Sequence, residues 1–338
     1  MDRAAAFLEA MRARLVPGCD TEVVQAVFQR ASAGRGDGRD RNGRRTSVLT
    51  PSGIPFEASV TGDAGGPAAA LRYNTETATS MPFFGPRLAA QLEAIADLAG
   101  WLPPAADPEA AGANLREFVA TLFPDPGRLP ARTRVATWFG IVHRPDNPAH
   151  LDRLKVYGSL AAGEGALARL AAARGPVGEL AATIDGVAWL APHLVAVEVD
   201  RTGATTHKLY FRAGPTDAAS LFDLANRFSV DASALAEWSG GTPRPVSFLC
   251  CQAGPTGRRD LTVYLSAKLL GLDGAGMDDL ARRLAERHHG TTAGLDALAD
   301  AAAAAGGAWS YSMLGIGLPA AAQAEGRPKL NAYVVPDA

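Results

Sequence analysis

The chain alternates between segments of two hydrophobic periodicities. Two segments near the N-terminus, roughly 2–15 and 21–32, carry apolar residues at helical spacing and are separated by Pro17 and Gly18. After them, pairs of strand-like segments with alternating apolar and polar positions are each followed by a pair of helical segments. The predicted hairpins are 47–60 (strand, turn, strand) with 68–77, 133–144 with 152–160, 193–201 with 206–213, 245–253 with 258–267, and 308–318 with 327–336. The predicted helical pairs between them are 87–102 with 109–123, 164–174 with 177–190, 218–228 with 231–239, and 277–288 with 292–305.

Tyrosine recurs at one position of this unit. Tyr157, Tyr210, Tyr264 and Tyr333 lie near the ends of successive second strands, at intervals of 53, 54 and 69 residues. Near-equal spacing of this kind indicates an internal repeat of two helices and two strands, in about five copies. Ten antiparallel strands are near the limit for an open sheet. We therefore predict an α/β fold in one domain, 1–338, with a ten-stranded antiparallel barrel inside and helices outside. An open sheet and a short solenoid are the alternatives.

Alternation within each strand assigns its side chains to two faces. Lys155 and Tyr157 share one face, while Leu154 and Val156 share the other. Helices are expected to cover the apolar face, so the polar face should line the barrel interior. The same partition places Tyr73 outside. The predicted lining is Glu57, Ser59, Arg72, Asn74, Glu76, Lys155, Tyr157, Lys208, Tyr210, Thr262, Tyr264, Lys329, Asn331 and Tyr333.

Composition narrows the classes of protein that fit. The 33 Lys+Arg and 35 Asp+Glu give a net charge of −2, and hydrophobic residues make up 47 %. This balance argues against a generally basic nucleic-acid binder and against a disordered chain. With no long apolar run, the sequence predicts a cytoplasmic protein without a membrane segment. Cys19, Cys250 and Cys251 are expected to be buried thiols. The basic, glycine-rich stretch 35–45 is expected to be a mobile loop that meets solvent or an anionic ligand.

The predicted lining favours one kind of ligand. Several lysines and an arginine suit a multiply charged anion such as a diphosphate, through charge-assisted hydrogen bonds. Tyrosine rings present a negative face to a cation, and their hydroxyls can bind phosphate oxygens. A chamber with both groups suits ionisation of an allylic diphosphate, in which the cations stabilise the departing diphosphate and the tyrosines exclude water from the allyl cation. Glu57 is placed to accept a hydrogen bond from an N–H or O–H of an aromatic acceptor.

At these residues the sequence resembles the aromatic prenyltransferases of the ABBA fold, specifically the dimethylallyltryptophan-synthase type of indole prenyltransferase. The segments that carry the resemblance are SGIPFEASV, LRYNTE, LKVYGSL, HKLYFRA, LTVYLSA and PKLNAYVVP. The resemblance implies acceptor binding and catalysis by Glu57. It implies diphosphate binding by Arg72, Lys155, Lys208 and Lys329, and cation shielding with diphosphate binding by Tyr157, Tyr210, Tyr264 and Tyr333. It also implies a ten-stranded barrel that needs no metal or other cofactor and transfers a dimethylallyl group from its diphosphate to an indole.

The sequence departs from the family pattern at two positions. Thr206 stands where family members often have an arginine, and Thr262 stands where they often have a glutamine. His207, Arg258 and Arg259 are candidates to take over diphosphate binding.

The acceptor is left open by the sequence. Trp138 and Trp309 lie in predicted strands and are candidate walls for it. The favoured acceptor is an indole, such as tryptophan or a compound derived from it. The first alternative is a phenolic compound or a peptide side chain, and the second is a non-catalytic barrel that stores or carries an anionic small molecule. The chain has no DDxxD-like cluster, so the magnesium-bridged chemistry of all-helical prenyltransferases is not expected.

Overall fold

Ten antiparallel strands close into one barrel in the computed structural model of the chain. Going around the ring, the strand order is β1-β10-β9-β8-β7-β6-β5-β4-β3-β2, so every strand pairs with its neighbour in sequence and β1 pairs with β10. The strands are β1 (Phe56–Thr61), β2 (Leu71–Thr75), β3 (Thr137–His143), β4 (Arg153–Ser159), β5 (Leu190–Asp200), β6 (Thr205–Ala213), β7 (Phe248–Ala253), β8 (Arg259–Leu265), β9 (Trp309–Leu318) and β10 (Lys329–Pro336). The predicted ten-stranded barrel is confirmed.

The structure describes residues 3–36, 38–40, 42–47, 49–61, 69–129, 137–160, 165–232, 246–257, 259–318 and 327–337. Within these ranges the helices are α1 (Arg3–Leu15), α2 (Thr21–Ala31), α3 (Phe84–Ala99), α4 (Pro108–Leu122), α5 (Ala166–Ala173), α6 (Gly175–Thr183), α7 (Ala218–Arg227), α8 (Ala267–Leu270), α9 (Gly274–His289) and α10 (Ala293–Ala305). Two short 3-10 turns, Pro104–Ala106 and Pro126–Arg128, flank α4. Most of the helix predicted at 231–239 lies outside the described residues.

Local sequence signals set several helix boundaries. Asp20 accepts a hydrogen bond from the backbone N–H of Glu22 at 2.8 Å and so caps the start of α2. Asp273 caps α9 through the N–H of Gly276 in the same way. That helix ends at Gly290, whose φ of +68° is the left-handed conformation that favours glycine. The boundaries therefore follow capping residues that are visible in the sequence.

The main hydrophobic core lies between the barrel and the helices. The outward side chains of the strands, such as Val156, Val197 and Leu209, are fully buried there. Tyr73 also points outward, as predicted, and packs edge-on against Phe28 of α2 at a centroid distance of 5.7 Å. Because the apolar face of each strand is used for this packing, the opposite face is left to line the interior.

The segment before β1 differs from its prediction. A strand was expected at the start of 47–60, but the described residues from Leu49 to Pro55 form no strand. The hydroxyl of Thr50 donates to the carbonyl oxygen of Ile54 at 2.6 Å, and the N–H of Gly53 donates to the carbonyl of Thr50, so these groups are satisfied locally.

The stretch 35–45 is partly buried. Gly38 is buried, while the side chains of Arg39, Arg44 and Arg45 are exposed. The mobility of this stretch stays a prediction.

None of the helices in the described part of the chain is long and apolar enough to cross a membrane.

Candidate functional site

An arc of aromatic rings lines the barrel interior. It begins with Trp138 on β3 and continues with one tyrosine from each of β4, β6, β8 and β10. Trp138 stacks on Tyr157 at a centroid distance of 5.1 Å, and the later distances are 5.8, 6.4 and 6.0 Å. These distances are typical of attractive ring pairs. The rings of the arc are Trp138, Tyr157, Tyr210, Tyr264 and Tyr333, and each is at most 9 % exposed.

Small residues on the intervening strands make room for these rings. Gly140 lies beside Tyr157, and Gly315 lies opposite Tyr264 in register. A Cβ atom at Gly315 would come within 2.9 Å of Cε1 of Tyr264, and one at Gly140 within 3.2 Å of Cε2 of Tyr157. The rings of Tyr157 and Tyr264 therefore lie over glycine backbone on the adjacent strand.

The predicted cations lie next to this arc, at the end of the barrel where each hairpin turns. Lys155 donates to the hydroxyl of Tyr157 at 3.3 Å, and its Nζ lies 5.2 Å from the centre of that ring. Arg72 donates to Oδ1 of Asn331 at 2.9 Å. Lys208 and Lys329 line the same cavity as Arg72. The four predicted cations are thus gathered at one end.

Two charged residues of this cluster were absent from the predicted lining. Arg153 precedes Lys155 by two positions and shares its face, a period-two signal that was present in the sequence. Glu198 of β5 is 6 % exposed and lies beside Lys155 in register. Burial alone would raise the pKa of Glu198, but the charges of Lys208, Lys155 and Arg153 hold it well below its usual range. Glu198 is therefore an ionised carboxylate among the cations.

The cation cluster surrounds a cavity of about 230 Å³. Its lining includes Arg72, Arg153, Lys208 and Lys329 together with Glu198. A smaller space of about 20 Å³ shares Arg72 and Glu198 with it and extends to Tyr157 and Tyr333 of the aromatic arc. An anion in the larger cavity would therefore have the aromatic rings directly beneath it.

Glu57 is a buried carboxylate on the same inner surface. Nδ2 of Asn74 donates to one carboxylate oxygen at 2.8 Å, and Oγ of Ser312 donates to the other at 2.7 Å. Burial raises the pKa of Glu57, and these two hydrogen bonds offset part of that effect. Each carboxylate oxygen can accept a further hydrogen bond, so Glu57 can receive an N–H or O–H from a ligand.

The segment before β1 covers the opposite end of the barrel. Leu49 packs against the aromatic arc, together with Leu194, Phe248 and Met313. The hydroxyl of Ser47 donates to Glu76 at 2.7 Å. Burial raises the pKa of Glu76 to about 7. Apolar side chains thus border the arc here, while the buried carboxyl of Glu76 lies beside the same segment and 3.6 Å from Arg87.

Trp309 does not line the chamber, which corrects the prediction that it forms an acceptor wall. It packs on the outside, stacked on Phe7 of α1 at a centroid distance of 4.1 Å. The cause is a β-bulge in β9, where Tyr333 pairs with Met313 but the next residue of β10 pairs with Tyr311. The extra residue, Ser312, points inward. It reverses the inward and outward alternation for the residues before it, so Trp309 faces outward.

The candidates for substitute diphosphate binding also need correction. His207 lies next to Lys208 in β6, so alternation turns it to the outer face, where burial lowers its pKa to about 4. Arg259 donates to Thr183 at 2.9 Å and to Glu179 at 3.0 Å, both on the outer helix α6. Neither reaches the cavity. Arg258 lies outside the described residues.

In the described part of the chain, no group of three or more His, Cys, Asp or Glu residues is arranged to hold a metal ion. The three cysteines are buried and free, as expected.

Comparison with solved structures identifies the fold. The 5-dimethylallyltryptophan synthase from Streptomyces coelicolor superimposes with a TM-score of 0.69 at 18 % sequence identity, covering 98 % of this chain and 96 % of that one. The 6-dimethylallyltryptophan synthase from Micromonospora olivasterospora, solved in complex with DMASPP and Trp, gives a TM-score of 0.69 at 19 % identity, covering 98 % and 96 %. AnaPT from Neosartorya fischeri gives a TM-score of 0.72 at 12 % identity, covering 99 % and 92 %.

The protein therefore has the barrel of the ABBA prenyltransferases, which confirms the expected fold. The sequence matches no protein-family model, and no curated protein matches it significantly.

Replacement of Gly315 by alanine tests the packing of the aromatic arc. The new Cβ would lie 2.9 Å from the ring of Tyr264, whose neighbours Tyr210 and Tyr333 restrict its movement. We expect Gly315→Ala to lower the free energy of unfolding by about 1–3 kcal/mol. Gly317→Ala on the same strand is the control, since its nearest contact would be 3.3 Å away. Equal denaturant midpoints for the two variants would contradict this account.

Lys329 gives the cation cluster a pH dependence. The positive charge of Arg72 is the main cause that lowers the pKa of Lys329 to about 7, because Lys329 itself is exposed at the start of β10. Lys329 is charged below that pH and neutral above it, so affinity for inorganic diphosphate should fall as the pH rises through about 7. Lys329→Arg keeps its charge and should show a flatter pH profile by titration calorimetry. Identical profiles for the two proteins would exclude a role for Lys329 in this dependence.

Proposed function

We propose that the protein is an aromatic prenyltransferase. It transfers a dimethylallyl or longer isoprenyl group from its diphosphate to an aromatic small molecule, with an indole such as tryptophan or a compound derived from it as the favoured acceptor. The observation that carries the proposal is the arc of five neighbouring aromatic rings beside a cavity lined by cations. Solved structures of the same fold include a complex with DMASPP and Trp, which supports this assignment.

The cation cluster binds the diphosphate leaving group. Arg72, Lys155, Lys208 and Lys329 bind the diphosphate oxygens and stabilise the charge that develops as the allylic C–O bond breaks. The diphosphate leaves with the electron pair of that bond. The remaining allyl cation lies over the tyrosine rings, whose faces stabilise it and whose packing keeps water away.

Glu57 positions the acceptor. It accepts a hydrogen bond from the N–H or O–H of the aromatic ring system and so increases electron density at the attacking carbon. That carbon forms the new C–C bond with the allyl cation. A proton then leaves the same carbon, to the diphosphate or to solvent, and aromaticity is restored. Trp138 supplies an aromatic wall because it stacks on Tyr157 inside the chamber.

The decisive experiment is an incubation with dimethylallyl diphosphate and a panel of aromatic acceptors in the presence of EDTA. Mass spectrometry should detect the gain of one prenyl unit on an acceptor, without added metal. Competition among tryptophan, tyrosine and hydroxynaphthalene would separate indole from phenol preference. Donor binding without product from any acceptor would instead favour a carrier barrel, and complete dependence on magnesium would contradict the metal-independent mechanism.

Glu57→Gln tests the acceptor role. The amide keeps the size of the side chain but loses the charge that polarises the acceptor, so we expect turnover to fall by roughly 10²- to 10⁴-fold. The acid limb of the pH profile for kcat should also disappear, because burial raises the pKa of Glu57 in the unmodified protein. Ser312→Ala, which retains the carboxylate, should cause a smaller loss. Undiminished turnover in Glu57→Gln would remove this residue from the mechanism.

Lys155→Ala tests the donor role. Loss of a charge-assisted contact should weaken binding of the prenyl diphosphate by about ten- to a hundredfold. The control is Lys268→Ala, because Lys268 is exposed on the outer helix α8. The other three of the four lysines lie in barrel strands. Calorimetric titration with a non-hydrolysable donor analogue provides the measurement. Equal affinities for both variants would show that Lys155 does not bind the donor.

A further inference from the structure

Glu198 has no role in the reaction as described, although it lies at the centre of the donor site. Its carboxylate accepts a hydrogen bond from Lys208 Nζ at 2.9 Å and lies 3.1 Å from Lys155 Nζ. Arg153 is 3.5 Å from its other oxygen. A site that must attract an anion is weakened by a buried negative charge, so this carboxylate requires a separate explanation.

We propose that Glu198 is an internal counter-ion that pairs with Lys155 and Lys208 in the free protein and is displaced from them by the diphosphate. It thereby limits the affinity of the site for the prenyl donor and hastens release of the diphosphate product. This inference rests on the proposed function, because it takes the two lysines as diphosphate ligands.

The free protein needs such a counter-ion. The side chains of Lys155 and Lys208 are only 12 % and 13 % exposed. Two ammonium groups held this close would repel each other, and each would lack most of its hydration. Glu198 bonds to both through one oxygen, Oε2, and so holds the two lysines on one side of the cavity. They are therefore positioned before a ligand arrives.

A diphosphate can replace the carboxylate because it offers more oxygens of higher charge to the same donors. Glu198 would then lie beside an anion, with Arg153 as its remaining cation. It can turn toward Arg153 or take up a proton, and either change relieves the repulsion. Part of the binding free energy is consumed in this displacement, which leaves the product more weakly held.

The surroundings of Glu198 make proton uptake the measurable consequence. Its β4 neighbours are the cations Arg153 and Lys155 and the phenol of Tyr157, whose pKa is raised by burial. Facing it from β6 are Lys208 and the uncharged Thr206, its partner in register.

Two further titratable groups influence this cluster. Cys250 on β7 has a pKa raised to about 11 by burial, and Lys329 on β10 has a pKa lowered to about 7. Burial also lowers the pKa of Lys208, the direct partner of Glu198. Glu198, Lys208 and Lys329 are therefore the groups whose pKa an anion would raise. A comparison of Glu198→Gln with the unmodified protein isolates the share that belongs to Glu198.

The test is calorimetric titration of the whole protein with inorganic diphosphate, for the unmodified protein and for Glu198→Gln. The variant should bind diphosphate at least about tenfold more tightly, because the displaced negative charge is gone. It should also melt at a lower temperature without ligand, since three cations lose their carboxylate. A purely structural role would lower the melting temperature and leave binding equal or weaker.

Repeating the titrations in buffers of different ionisation enthalpy gives the number of protons taken up. Glu198→Gln should take up fewer protons than the unmodified protein, by up to about one. Asp260→Asn is the matched control, because Asp260 lies near the turn of the neighbouring β7–β8 hairpin and accepts a hydrogen bond from Gln252 at 2.7 Å. It should change both quantities less than Glu198→Gln does.

The outcomes separate the two proposals. If the unmodified protein binds no diphosphate, the proposed function fails and this inference fails with it. If it binds, but Glu198→Gln binds equally or more weakly with the same proton count, the counter-ion role alone is overturned. Should Glu198→Gln not fold, Glu198→Asp provides the second variant. Its shorter side chain places the carboxylate farther from the lysines. Diphosphate binding that is tighter than in the unmodified protein, by less than expected for Glu198→Gln, would support the proposal. Unchanged or weaker diphosphate binding would refute it.

Discussion

Alternation of side chains around a closed antiparallel ring is the constraint on which the rest of this structure depends. Every strand buries one face against helices, as Val156 and Leu209 show, and that face must be apolar. The other face is then free of the packing requirement and can carry Lys155, Tyr157 and Glu57. Closure of the ring turns these polar faces toward one another. A chamber lined by charges and phenols thus follows from how the outer core is built.

The chamber is chemically graded along its axis. Cations gather where the hairpins turn, the aromatic rings lie deeper, and apolar side chains such as Leu49 and Met313 close the far end. Glu57 is held by hydrogen bonds from Asn74 and Ser312 rather than by a cation. In the proposed reaction, the carboxylate that polarises the acceptor and the cations that neutralise the leaving anion thus have different hydrogen-bond partners. Glu198 has the opposite environment, and its low pKa reflects the surrounding cations.

Much of the fold and part of the site could be predicted from sequence, for a physical reason. The Lys-x-Tyr pattern recurs with alternation, so one rule placed Lys155 and Tyr210 on the inner face. The same rule failed at Trp309 because the bulge inverts the alternation, and a bulge leaves no period-two signal in a single strand. Glu198 was missed for another reason. Alternation with the outward Val197 and Val199 does place Glu198 on the inner face, but that signal was not used. Its pairing with Lys155 depends on the register between β4 and β5, which alternation alone does not determine.

The glycines beneath the rings mean that adjacent strands share space between them. The ring of Tyr264 occupies the space above Gly315 on the neighbouring strand, and a methyl group at position 315 would have to displace that ring. Evolution can therefore reshape this part of the chamber by reciprocal exchange, with a smaller side chain at 264 compensating a larger one at 315. Such an exchange would move side-chain volume from one strand to the other and leave the total side-chain volume nearly constant. Paired substitutions across neighbouring strands, rather than single ones, are thus the natural route to a new substrate shape.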